Sequence, residues 1–266
     1  TYTDFADNHD VAIVEQVQEI LSQNQKAFKH VKFQIPENEL SATVEVSGKI
    51  VGIIDLTRGE LGTNGTSELR EKEANLASEI IGAKFRLNLD FQDGFIFNNK
   101  ENQIEVVKAI RQFRPDIILS PTQIDRHSDH GKASDIIYEA AFLSGLVKLE
   151  TKHEDKVQKP WRPRINLNYQ QWNDFKPDVI IDISEFIETK KEAILAFKSQ
   201  VLKDSNTKST KINSDNFIES IKYRAKNLGR LIDKEYAEAF QSRKNIAVNK
   251  ICLLYTSDAA DEGLGV

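Results

Sequence analysis

The densest group of chemically active side chains is the run Asp125–His130 (DRHSDH), which follows an apolar segment ending at Ser120. Two imidazoles three residues apart, with a carboxylate beside one of them, suit a metal ligand and its orienting partner. One histidine can bind Zn²⁺ while the other stabilises an oxyanion or protonates a leaving amine. Spacing alone leaves a solvated polar loop open as the alternative.

A second polar loop, Thr57–Gly65 (TRGELGTNG), leads from an apolar run into an amphipathic segment. Glycine-rich backbone at a helix N-terminus can hold an anion, but this loop lacks the Lys-Ser/Thr of a phosphate-binding loop. Nucleotide binding, which Arg58→Ala should abolish, is therefore the weakest hypothesis. Arg58 is better suited to hold a sugar hydroxyl or a carboxylate, and a surface ion pair with Glu60 is equally open.

Two further strand ends carry polar or aromatic side chains. Asp93 stands in a turn before Gly94 and can hydrogen-bond a polyol, although a purely turn-forming role is favoured by the residue type. Tyr169 and Gln171 close another strand and can line the same cleft, whereas packing is the commoner role of such aromatics.

These loops need a scaffold, and the chain alternates between strand-like and helix-like patterns. Strands are predicted at 30–35, 49–56, 84–91, 116–120, 164–169 and 178–183. Helices are predicted at 9–30, 66–82, 102–113, 131–146, 185–201, 215–232 and 236–240. The alternation predicts an α/β fold with a mostly parallel sheet covered by helices on both faces. Its ligand site is expected beyond the carboxyl ends of the strands.

Composition narrows the class of protein. The 266 residues carry 36 Lys+Arg against 41 Asp+Glu, and 39% are hydrophobic, as in ordinary globular proteins. The net charge of −5 argues against nucleic acid as a partner. One cysteine excludes a cysteine-rich zinc site, and no segment has the pattern of a membrane span or a signal peptide. We therefore expect a small-molecule partner, neither nucleic acid nor membrane, and a cytoplasmic location.

Five separated segments resemble the LmbE/PIG-L de-N-acetylase family: VGIIDLTRGELGTNGT, DRHSDHGKAS, AFLSGL, and KYRAKNLGRLI followed by YAEAF. The resemblance covers roughly residues 49–248 and is greatest to the members of bacillithiol biosynthesis, which remove acetate from N-acetylglucosaminyl malate. It implies a Rossmann-like domain, one Zn²⁺ as cofactor and a sugar conjugate as substrate, and it is compatible with a homo-oligomer.

The resemblance also implies roles for single residues in metal binding, catalysis and substrate binding. They are zinc binding by His130, oxyanion stabilisation or proton donation by His127, orientation of an imidazole by Asp129, sugar contacts by Arg58 and Asp93, and contacts with the malate carboxylates by Arg126.

The family's Ala-His-Pro-Asp-Asp motif is missing from this sequence. At its expected place the chain reads QIPENELSA, with Ile35 where the histidine belongs and Asn38 where the liganding aspartate belongs. Ile cannot coordinate a metal and Asn is a poor substitute for a carboxylate, so the zinc site is incomplete. Glu37 remains as a candidate base. A catalytically inactive homologue that binds a sugar conjugate on the same fold is therefore the alternative to an active deacetylase.

These observations predict three parts of the chain. Residues 1–42 form an atypical N-terminal segment, either diverged or joined from another reading frame or fragment. The adapter-like run Cys252–Glu262 at the other end favours the second explanation, and the absence of Met and the start at Thr1 fit it. Residues 43–250 form the LmbE-like domain. Residues 251–266 form a non-native tail that resembles a translated sequencing adapter and is expected to pack poorly.

Overall fold

The computed structural model describes residues 50–203, 205 and 207–246. The predicted helix at 9–30, the strand at 30–35, the candidate base Glu37 and the tail at 251–266 lie outside the described residues.

Strands and helices alternate along the described chain, which confirms the α/β class. The strands are β1 Gly52–Thr57, β2 Phe85–Phe91, β3 Ile117–Pro121, β4 Lys152–His153, β5 Lys156–Val157, β6 Ile165–Tyr169, β7 Val179–Asp182 and β8 Ala237–Ser242. The helices are α1 Ser67–Ile80, α2 Lys100–Phe113, α3 Ser128–Leu143, α4 Ile187–Ala196, α5 Lys198–Val201 and α6 Phe217–Gly229.

The sheets are mixed rather than mostly parallel. β1 pairs with β2 and β3 pairs with β6, both in parallel, while β8 lies antiparallel between β6 and β7. β4 and β5 form a separate short hairpin within a charged stretch. Among the described strands β1 and β3 are not paired with each other, so the β1–β2 sheet and the four-stranded sheet are distinct ladders.

The helix predicted at 236–240 is wrong, because these residues lie largely in β8. Ala237–Phe240 are all buried, and the strand has partners on both sides: Glu238 lies opposite Ile181, and Phe240 lies opposite Tyr169. Alanine and glutamate favour a helix locally, but two ladders of hydrogen bonds and complete burial outweigh that preference.

Helices cover both faces of the β1–β2 sheet, as predicted. Ile53 of β1 packs against alanines of α1 and α4 and against Phe197. Leu56 of β1 and Leu89 of β2 pack on the opposite side against α2 and α3. This burial packs β1 against α3. Among the described helices, none is both long and apolar enough to cross a bilayer.

Candidate active site

A cavity of about 120 Å³ lies beside β1, near the carboxyl ends of β3 and β6. One wall is the whole of β1, and Asp93 and Ile96 adjoin it. The remaining lining includes four of the residues singled out in the sequence: His127, Asp129, His130 and Tyr169. The strand-end loops therefore meet at one cavity, as the topology predicts.

His127 is the N-cap residue of α3. The helix starts at Ser128, whereas the sequence predicted a start at Gly131. The His127 Nδ1 accepts a hydrogen bond of 3.1 Å from the Asp129 N–H, in the manner of a helix cap. Burial lowers the pKa of His127 to about 4, and the nearby His130 ring, 5.2 Å away between centroids, acts in the same direction. The ring is therefore neutral at neutral pH with its proton on Nε2, which suits it to donate a hydrogen bond.

His130 is oriented by Asp125, a carboxylate of the same run for which the sequence predicted no separate role. The Asp125 Oδ2 lies 2.6 Å from His130 Nδ1, and Oδ1 accepts from the Asn173 N–H at 2.9 Å. Burial acts to raise the pKa of Asp125, but hydrogen bonds from His130 and from the Asn173 and Arg126 N–H groups outweigh it and lower the pKa. The ionised carboxylate keeps the proton on Nδ1, as in carboxylate–histidine–metal arrangements.

Asp129 contacts an imidazole through its backbone and not through its carboxylate. Oδ1 accepts from Lys132 Nζ at 3.3 Å, whereas Oδ2 is buried and has no hydrogen-bond partner among the described residues. The sequence suggested that Asp129 orients an imidazole, but Asp125 is the carboxylate in contact with one. The catalytic role of Asp129 stays a prediction.

Two buried atoms of residues that line this cavity are suited to coordinate a zinc ion. His130 Nε2, like Asp129 Oδ2, is buried without a hydrogen-bond partner in the described part of the chain. Imidazole nitrogen and carboxylate oxygen are both ordinary zinc ligands. No group of three or more His, Cys, Asp or Glu suited to a metal occurs within the described ranges. These residues thus supply part of a ligand set.

Asp93 ties two loops together at the cavity wall. Its Oδ2 accepts from the Leu61 N–H at 2.9 Å, and its own N–H donates to Glu60 Oε1 at 2.8 Å. Its side chain lines the cavity. The turn-forming and ligand-facing interpretations are therefore both compatible with its position, and contact with sugar hydroxyls stays a prediction.

The two predicted substrate-binding arginines lie outside the cavity lining. Arg58 is half exposed and pairs with Asp90 and, at 3.7 Å, with Glu71, not with Glu60. The guanidinium of Arg126 lies 4.0 Å from the ring centroid of Trp172. Neither arginine contributes to the cavity wall, and their contacts with substrate stay predictions.

Known proteins with the same fold and sequence pattern identify the family. The PIG-L model, described as GlcNAc-PI de-N-acetylase, matches residues 38–141. The crystal structure of the conserved protein TT1542 from Thermus thermophilus is 30% identical, covers 92% of this chain and 94% of its own, and superposes with a TM-score of 0.69. The chain belongs to the PIG-L family.

Two sugar deacetylases are less similar to this PIG-L family protein, one in sequence and one in fold. Diacetylchitobiose deacetylase of Thermococcus kodakarensis is 29% identical over 157 residues, which span 58% of this chain and 57% of the relative. N,N'-diacetylchitobiose deacetylase from Pyrococcus horikoshii shares the fold, with a TM-score of 0.63 at 18% identity over 88% of this chain and 80% of that one.

A buried polar network fixes α3 of the PIG-L family protein to the strand ends. The Asn168 Nδ2 lies 2.9 Å from Ser120 Oγ, 2.8 Å from Ser134 Oγ and 2.6 Å from the Pro121 carbonyl oxygen, so these three acceptors share its two N–H groups. Because Ser134 is one turn after His130, the network holds the first turns of the helix against the cavity. Polar residues alternating within β6 are the sequence signal for it.

Gly131 permits the close approach of α3 to the preceding loop. A Cβ at this position would lie 2.5 Å from the Gln123 carbonyl oxygen, a backbone atom that cannot rotate away. We expect Gly131→Ala to lower the free energy of unfolding by about 1–3 kcal/mol, measured by urea denaturation, and to displace His130.

The matched control is Gly145→Ala. There the added methyl meets the Arg162 guanidinium, which can move, so little loss is expected. A Gly131→Ala variant as stable as the wild type would contradict the close approach.

Proposed function

We propose that this protein is a zinc-dependent hydrolase that removes acetate from an N-acetylglucosamine conjugate. The observation that carries the proposal is the meeting, on one cavity, of the buried donor atoms of Asp129 and His130 with the neutral ring of His127. Membership in the PIG-L family and the sugar deacetylases among the relatives support the same reaction class.

Amide hydrolysis requires a nucleophilic water, stabilisation of the tetrahedral oxyanion and a proton for the leaving amine. Asp129 and His130 are the residues that would hold zinc, which when bound lowers the pKa of water and polarises a carbonyl. Asp125 keeps the His130 Nε2 lone pair available for this role. His127 donates its Nε2–H to the oxyanion, and Glu37, outside the described residues, is the proposed base.

The specific substrate proposed is N-acetylglucosaminyl malate of bacillithiol biosynthesis, a small molecule of the cytoplasm. Arg126 is the proposed partner of the malate carboxylates, because guanidinium groups bind carboxylates bidentately. Lys211 Nζ lies 5.9 Å from the same Trp172 ring that Arg126 covers, so two cations adjoin this position. Arg58 and Asp93 are the proposed contacts of the sugar.

A catalytically inactive homologue that binds the sugar conjugate is the second candidate. It is favoured by the missing Ala-His-Pro-Asp-Asp motif and by the lack of a group of three metal-binding residues between 50 and 246, positions 204 and 206 excepted. Binding without turnover distinguishes it from the enzyme.

The deciding experiment measures zinc content and acetate release with the purified chain. We expect bound zinc, release from N-acetylglucosaminyl malate at least about tenfold faster than from diacetylchitobiose, and loss of activity with a chelator that added zinc reverses. Faster release from diacetylchitobiose would overturn the malate assignment. Sugar binding with no zinc and no acetate release from either compound would overturn the hydrolase and establish the inactive homologue.

A further inference from the structure

The position of Asp125 depends on the backbone of the segment between β6 and β7. The Asn173 N–H donates to Asp125 Oδ1 at 2.9 Å, while Oδ2 holds His130 Nδ1. The Asp125 side chain is fully buried. Any shift of Asn173 therefore moves the carboxylate that sets the orientation of His130.

Arg224, on α6, contacts the backbone of the segment between β6 and β7. Its Nη1 donates to the carbonyl of Gln171, a residue that is itself fully buried. The guanidinium is also attracted to the carboxylates of Asp125 and Asp174. A line of contacts thus runs from α6 through the Gln171–Asn173 backbone to Asp125 and His130.

The charged groups around Arg224 determine which carboxylates its guanidinium stabilises. Lys190 and Glu238 line the same small pocket as Arg224 and contact each other as an ion pair. Because Glu238 is paired with Lys190, the carboxylates that attract Arg224 are those of Asp174 and Asp125. A planar, permanently charged guanidinium can hold a carbonyl while it stabilises a nearby carboxylate, which an ammonium does less well.

We propose that Arg224 is a positioning residue for His130, which fixes the Nδ1–H tautomer and aims the Nε2 lone pair at the cavity through Gln171, Asn173 and Asp125. The tautomer depends only on these contacts, whereas its use in zinc binding rests on the proposed function. Arg224 is not among the residues that line the cavity, and it acts on His130 through the Gln171–Asn173 backbone and through its attraction to the Asp125 carboxylate.

The test compares Arg224→Met, which keeps the aliphatic stem but removes the charge, with Arg224→Lys, which keeps the charge. Nitrogen NMR of the imidazole in metal-free protein reports the His130 tautomer, and zinc titration reports affinity. We expect the wild type to hold the Nδ1–H form. Arg224→Met should mix both tautomers and weaken zinc binding about 3- to 10-fold, with partial recovery in Arg224→Lys.

The matched control is Arg230→Met, an exposed arginine just beyond α6 that pairs with Asn227. It should leave tautomer and affinity unchanged. Arg224→Gln replaces the methionine variant if that variant does not fold. A wild-type tautomer in the uncharged Arg224 variant, or an equal change in Arg230→Met, would overturn the positioning role. A tautomer that depends on Arg224 without any acetate release would overturn the proposed function alone.

Discussion

Replacing His130 with alanine is expected to remove most of the zinc affinity of the chain, whereas replacing His127 is expected to remove little. The Nε2 of His130 is buried and free of hydrogen bonds within the described residues, and Asp125 holds its other nitrogen. The Nδ1 of His127 accepts the capping hydrogen bond from the Asp129 N–H. The Nε2 of His127 therefore carries the proton and has no lone pair for zinc. Since each ligand contributes several kcal/mol to a structural zinc site, we expect a loss of affinity of about 100-fold or more for His130→Ala.

Zinc titration of metal-free protein measures this difference, and His153→Ala, in the exposed β4, is the control. His127→Ala should instead lower acetate release by about 100-fold with near-normal zinc affinity, because it removes a donor to the transition state. Equal losses of zinc affinity in the two variants would show that the ligand assignment is wrong.

Replacing Lys190 with methionine is expected to cost more stability than any surface change. Its ammonium contacts Glu238, and the two side chains are only 7% and 9% exposed. The second carboxylate oxygen of Glu238 is buried without a hydrogen-bond partner among the described residues. Removing the lysine therefore leaves a buried charge without compensation, for which we expect a loss of about 3–5 kcal/mol in the free energy of unfolding.

Urea denaturation checks this expectation with two comparisons. Lys191→Met removes an exposed pair with Glu188 on the same helix and should cost no more than about 1 kcal/mol. The double variant Lys190→Met/Glu238→Leu should recover most of the loss, because it removes both charges. A single Lys190→Met variant within about 1 kcal/mol of the wild type would contradict the role of the pair.

The elements around the site could be read from the sequence because their signals are local. The apolar run of β1 and the short run of β3 are typical of buried strands, and both lie within a few residues of their predicted positions. The meeting of His127, Asp129 and His130 at one cavity follows from their place after a strand of an α/β fold. The start of α3 differs from the prediction because histidine is an uncommon helix cap. The sequence pattern therefore places the start at Gly131, after His130, whereas the helix begins at Ser128.

The supports of the site could not be read from the sequence because they join distant residues. Asn173 lies 48 positions from Asp125, and Arg224 lies 53 positions from the carbonyl it holds. No local pattern indicates such contacts. β8 escaped prediction for the same reason, since its pairing with β6 and β7 is a property of the folded chain and not of its own residues.

The cap at His127 makes the start of α3 sensitive to acid. The nitrogen that accepts the Asp129 N–H is the one that a second proton must occupy. From about pH 6.5 down to about 4, the unfolded chain takes up a proton at this ring that the folded chain refuses, so the folded state loses stability as the pH falls. Acid thus charges the ring and frays the first turn in one event, and the turn that frays carries Asp129 and His130.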